Sequence, residues 1–133
     1  MTDVTVVISN YDYGNYVNSA IDSCLNQTVP CKIIVVDDNS QDKSWSVISS
    51  YKDKVRAVKL SSNSRGNARG KNIGICLADT EFVTCLDSDD MLLPDSIELR
   101  LAHMSKVDVC HGWNIEAKTT KSLDKVLKSV HHK

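Results

Sequence analysis

The sequence predicts an α/β fold: a mostly parallel sheet with helices on both faces. Three observations carry that prediction. Short β-branched runs at 4–8, 33–36 and 82–86 alternate with stretches whose apolar residues recur at helical spacing. The runs are almost wholly apolar, as expected of strands covered on both faces. Each ends abruptly in a polar, turn-prone cluster, and strands alternating with helices in this way make parallel βαβ units.

The first strand, 4–8, runs into the loop Ser9-Asn10-Tyr11-Asp12-Tyr13-Gly14. Tyr16, Val17, Ala20, Ile21, Cys24 and Leu25 then mark one helix face, which stops near Pro30. The second strand, 33–36, ends in Asp37-Asp38-Asn39-Ser40, and Asp42 or Ser44 is placed to cap a helix bearing Trp45, Val47, Ile48 and Tyr51. A third strand is expected over 55–60, a loop over 61–66, and a helix over 67–77. The buried strand 82–86 follows, ending in Asp87-Ser88-Asp89-Asp90. Asp95 and Glu98 form a capping-box pattern for a helix to about Met104. The stretch 107–113 reads as a further strand, and Leu123, Val126, Leu127 and Val130 place an apolar stripe on a last short helix.

At 133 residues the chain is long enough for one domain, expected over 1–133. Sixteen basic against 17 acidic residues leave a net charge of -1, which implies no nucleic-acid or membrane-surface field. No apolar run approaches the ~20 residues of a membrane span, and the first residues lack a leader pattern. Five widely spread cysteines without a C-x-x-C pair read as reduced core residues of a cytoplasmic protein.

In open parallel sheets ligands bind beyond the carboxyl ends of the strands, at a switch point. The clusters at 9–12, 37–40 and 87–90 should therefore gather along one edge. Three carboxylates within four positions repel one another and raise each other's pKa unless positive charge lies among them. Asp-x-Asp at a strand tip is suited to giving hard oxygen ligands to a divalent cation whose other ligands come from water or phosphates.

Ile8-Ser9-Asn10-Tyr11, the stretch from Ile21 to Thr28, Ile34-Val35-Val36-Asp37-Asp38-Asn39-Ser40, the basic segment from Asn63 to Gly74, and Leu86-Asp87-Ser88-Asp89-Asp90 resemble the successive motifs of family 2 glycosyltransferases. The resemblance implies a GT-A fold, a Rossmann-like nucleotide-binding domain, with 1–93 as the nucleotide-sugar-binding core and 94–133 as a short remnant of the acceptor side. It also implies a metal-dependent, inverting transfer from a UDP-sugar donor, UDP-glucose among the candidates, to an unknown acceptor, or hydrolysis of the donor. Ser9 and Tyr11 would hold the nucleoside, and Asp38 would accept a hydrogen bond from the uracil ring. Arg69 stands where relatives place a base-contacting lysine, and Lys71 where the family often has arginine. Asp87 would reach the ribose or the metal shell, and Asp89 would ligate Mn2+ or Mg2+. Asp12 departs from the usual asparagine after the tyrosine.

Plainer readings stand beside these. Asp38 is also suited to an Asx-turn, and Arg65, Arg69 and Lys71 to a solvated helix face. Trp45 and Trp113 suit packing, and Asp90 a brace for the loop. An inverting transferase needs a carboxylate base; Asp108 and Glu116 are the nearest candidates, and neither sits in a family motif. The alternative function is a non-catalytic nucleotide-sugar-binding module completed by another chain. An uncovered sheet edge and apolar helix face further predict a homodimer joined through the segment from Val107 onward.

Overall fold

The computed structural model describes residues 3–112. It divides into two units, one ending at Glu98 and one beginning at Leu99. The chain runs β1 (Val4–Asn10), α1 (Val17–Leu25), β2 (Lys32–Asp37), α2 (Ser44–Ser49), a 3-10 turn (Lys52–Lys54), β3 (Arg56–Lys59), α3 (Asn67–Leu77), β4 (Phe82–Asp87) and α4 (Ser96–Met104). The four strands form one sheet in the order β3-β2-β1-β4, and every pairing is parallel.

That order locates the switch point. From β1 the sheet grows one way through β2 and β3, and α3 then carries the chain back across to place β4 on the other side of β1. Right-handed crossovers put α1 and α2 on one face and α3 on the other. Strand alternation agrees: Val7 and Ser9 face α3, where a Cβ on Gly74 would lie 2.2 Å from Val7 Cγ1 and one on Gly70 3.2 Å from Ser9 Cβ. Val6 and Ile8, on the opposite face, are equally buried. The two glycines let α3 lie closer to the sheet than any side chain would allow.

The core sits on β1 and β2, whose valines and isoleucines are buried together with Val17, Ala20, Ile21 and Ile48. The outer strands differ from the expectation of full burial. Val83 and Cys85 of β4 are exposed and only Leu86 is buried there, because β4 pairs only with β1 among the described residues. Of the five free cysteines only Cys24 is a core residue; Cys85 is exposed with its strand, and Cys76 is exposed on α3.

Other local expectations are corrected. Asp42 does not cap α2 from the N-cap position, which Lys43 occupies, but its Oδ1 accepts the Ser44 amide at 2.8 Å. Glu98 accepts a hydrogen bond from the Thr28 hydroxyl at 2.7 Å instead of turning back as a capping-box residue. In the second unit, Lys106 N donates to His103 O at 3.1 Å, and no strand forms over 107–112. Val109 is 81% exposed there, and without a partner ladder its β-branched pattern has nothing to build on. Trp113, the apolar stripe from Leu123 to Val130, and with it most of the predicted dimer segment, lie outside the described residues. Among the described residues no helix is long and apolar enough to cross a membrane.

Candidate functional site: the crevice at the strand ends

Parallel register brings the three polar clusters together. Ser9 of β1 pairs with Val36 on one side and Asp87 on the other, and Asn10 pairs with Asp37. Beyond these ends lies a cavity of 520 Å³ lined by Ser9, Asn10, Tyr11, Asp38, Asn63, Arg65, Gly66, Asn67 and Gly70. Its size suits a small-molecule ligand.

The cavity wall is built by the loops after β1 and β2, which are tied to each other. Asp37 is fully buried, and its carboxylate accepts hydrogen bonds from Asn10 Nδ2 (2.8 Å), Ser40 Oγ (2.5 Å) and Ser40 N (3.0 Å). Asp12 adopts φ 52, a left-handed conformation that Asp tolerates better than most residues. Its Oδ1 accepts the amides of Gln41 (2.8 Å) and Asp42 (3.3 Å), and its own amide donates to Ser40 Oγ (2.9 Å). The departure from asparagine at this position is thus a loop brace. Gly14 N donates to Asp42 Oδ2 at 2.8 Å, completing the tie.

Asp38 makes no Asx-turn; the carboxylate that ties this loop is that of Asp37, which accepts the Ser40 amide three residues on. Asp38 is 6% exposed, and its carboxylate faces the loop before α3, where Ser64 donates from Oγ at 2.7 Å and from N at 3.0 Å. Asn63 Nδ2 donates to the Asp38 carbonyl at 3.2 Å, closing the loop over the cavity. Tyr11 is half-exposed over the mouth. The Asp12 carboxylate beside it, then burial, push its hydroxyl above the usual phenol range.

On the other side of Ser9 lies the acidic turn. Asp90 N donates to Asp87 O at 3.0 Å, bending the chain so that Asp89 and Asp90 are exposed while Ser88 is buried. Lys71 of α3 forms an ion pair with Asp87 Oδ1 at 2.8 Å. The hydrogen bond to Asp87 raises the lysine's pKa. Partial burial and the carboxylates of Asp89 and Asp87 raise that of Asp90. Among the described residues no group of three or more His, Cys, Asp or Glu is placed to hold a metal unaided. The donor set nevertheless fits a hard divalent cation that takes its remaining ligands from phosphate and water: an exposed Asp89 beside a crowded Asp90, all oxygen.

The structure therefore places Ser9, Tyr11 and Asp38 in the cavity wall, and Asp87, Asp89 and Lys71 at the neighbouring turn. Arg69 is not in the wall; its Nη1 donates to Ser62 O at 3.2 Å. Arg65, read as part of a helix face, precedes α3 at φ 58 and lines the cavity. Asn10, Asn63 and Asn67 also line it, unassigned by the motifs. The run of Asn, Ser and Gly before α3 was the available signal for a backbone shaped around a ligand. Asp108 is exposed in the second unit. Glu116 lies outside the described residues.

Residues 5–129 match the family model described as glycosyl transferase family 2. An uncharacterized glycosyltransferase of Haemophilus influenzae is 36% identical over 104 residues, covering 76% of this chain and 42% of that protein. The poly(ribitol-phosphate) beta-N-acetylglucosaminyltransferase TarP of Staphylococcus aureus is 34% identical over 103 residues, covering 74% of this chain and 32% of that protein. The chain thus spans less than half the length of these relatives. The crystal structure of an S. aureus TarS fragment in complex with UDP-GlcNAc matches with a TM-score of 0.74 over 88% of this chain and 37% of that one. At 23% identity, that likeness speaks for a shared fold.

Proposed function

The chain belongs to glycosyl transferase family 2, and from that premise we propose that it binds a UDP-sugar with Mn2+ or Mg2+ and transfers the sugar, with inversion, to an acceptor. One observation carries the reading. Helix α3 joins the two halves of the crevice, since Gly70 lines the cavity while the next residue, Lys71, reaches Asp87 of the acidic turn. A nucleoside in the cavity would thus extend its diphosphate toward the side of β1 where Lys71 pairs with Asp87 and Asp89 follows.

Tyr11 offers a ring face to the base and Asp38 an acceptor to its N–H edge, while Asp87 and Asp89 serve the metal shell. A divalent cation bound there supplies charge neutralisation for the departing diphosphate. Lys71 adds a second positive charge at the same place. Arg65 joins the nucleotide-binding set in place of Arg69, whose guanidinium is turned to the Ser62 loop. The base that takes the acceptor's proton would come from after the acidic turn, with Asp108 and Glu116 as candidates.

The name of TarP favours UDP-N-acetylglucosamine as donor over UDP-glucose. The second reading is a binding module that turns over no donor alone, its described residues holding the nucleotide side of the crevice with Asp108 exposed in the other unit. Incubation with a panel of nucleotide-sugars and Mn2+, read as released nucleoside diphosphate, separates the two. UDP released from one UDP-sugar supports the transferase; tight UDP-sugar binding without release supports the module; no binding to any member overturns both.

A further inference from the structure

The segment that leaves the acidic turn is stitched to the far end of α1. Gln27 uses its whole side-chain amide there: Nε2 donates to Ser23 O (2.9 Å) and Leu93 O (2.7 Å), and Oε1 accepts the Ile97 amide (3.1 Å). Around it, Ser23 Oγ accepts the Leu92 amide at 3.1 Å, and Thr28 N donates to Pro94 O at 2.9 Å. The Thr28 hydroxyl donates to Glu98.

The acidic turn is therefore held at both ends. Its entry is fixed by β4 in the sheet, and its exit by this lattice, which begins at Leu92, two residues past Asp90. Gln27 is the side chain that grips the exit at two places, Leu93 and Ile97. Such a device fixes the separation of the turn's carboxylates, which ordering by a bound ion alone would have to impose at an entropic cost.

We propose that Gln27 is a positioning residue for the acidic turn: it touches neither nucleotide nor metal, and it presets the carboxylates that metal-nucleotide binding uses. This rests on the metal reading of the turn given above. Gln27→Glu keeps the shape but sets a carboxylate against the carbonyls of Ser23 and Leu93; Ser23 O loses its donor, and Leu93 O keeps only the Ser96 amide at 3.0 Å.

The test is calorimetry of UDP binding to the full chain with Mn2+ and with EDTA, together with the melting temperature. Q27E is expected to cut the Mn2+ enhancement of UDP affinity roughly tenfold, the scale of supporting-contact losses at metal sites, while UDP affinity in EDTA stays at the parent's value. An enhancement equal to the parent's, or an equal loss in Mn2+ and in EDTA, overturns the inference even if the melting temperature falls. A parent protein with no enhancement at all overturns the metal reading and this inference with it. Should Q27E fail to fold, Ser23→Ala, which removes the acceptor of the Leu92 amide together with a bond to Ala20 O inside α1, is measured in the same way. A smaller loss of the same kind supports the proposal, and an unchanged enhancement overturns it.

Discussion

Lys71 Nζ stands 2.8 Å from Asp87 Oδ1, so the cation carried by α3 already answers the first carboxylate of the acidic turn. On the proposed function, this lysine would compete with a metal for the turn when no nucleotide is bound, and would turn to a phosphate when one is. Lys71→Met is expected to strengthen Mn2+ binding to the free protein and to weaken UDP binding in the presence of Mn2+. The pair is partly exposed, so each effect should be at most about fivefold, corresponding to ~1 kcal/mol. Titration of Mn2+ with and without UDP checks both signs.

Asp89→Ala is expected to abolish the Mn2+ enhancement of UDP affinity while leaving the metal-free affinity near the parent's. Asp89 is exposed at the turn and lies outside the cavity wall, so its loss disturbs no part of that wall. Equal affinities for the variant in Mn2+ and in EDTA are the outcome to look for by calorimetry.

Asp38→Ala is expected to narrow the preference for UDP over GDP by roughly tenfold, the scale of a lost charged hydrogen bond. The same change leaves Ser64 N–H and O–H without their acceptor. Competition binding with the two nucleotides measures the ratio independently of overall stability.

Gly74→Ala tests the close approach of α3. Alanine in a helix interior gains up to about 1 kcal/mol over glycine. The new Cβ, however, would lie 2.2 Å from Val7 Cγ1 and 3.1 Å from Cγ2, on a branched side chain with no room to turn. Overpacking at about 1–3 kcal/mol should win, lowering the melting temperature by several degrees. Val7→Ala combined with Gly74→Ala should recover part of the loss.

Asp42 gives a pH signature. Partial burial pushes its carboxyl up, but hydrogen bonds from Ser44 and Gly14 outweigh this and hold it below the usual carboxylate range. A depressed folded-state pKa stabilises the fold above the unfolded value and ceases to do so as pH falls through the folded one. Asp42→Ala should therefore cost about 1 kcal/mol near neutral pH, as capping losses do. The gap in melting temperature from the parent should close on acidification below about pH 4.

The strand ends were legible because apolar runs stop where polar clusters begin, and β1, β2 and β4 end at Asn10, Asp37 and Asp87. Ser9, Asp38 and Asp87 could be picked out by the likeness of those clusters to family motifs, and the parallel register sets Ser9 beside Asp87. Arg65 could not, since a charged residue two positions before a helix has no periodicity to betray it, and only the left-handed turn at that position directs it to the cavity. Nor could the exposure of β4. Val83 and Cys85 look like core, and whether they are depends on what lies beside the strand, which is a property of the sheet and not of the run.

The strand order has a consequence for how the crevice comes into being. The pairs β1–β2 and β2–β3 join neighbours in the chain, whereas β4 must find β1 after a long excursion; Thr5 and Thr80, hydrogen-bonded at that seam, are 75 residues apart. Closing so long a loop is the slow kind of step. A chain that has assembled β1, β2 and β3 already owns a hydrophobic centre, yet Ser9 and Asp87 have not met. On the proposed function, competence to hold a metal-nucleotide would then come with the docking of β4, and nucleotide added during refolding is expected to report that arrival rather than the earlier collapse.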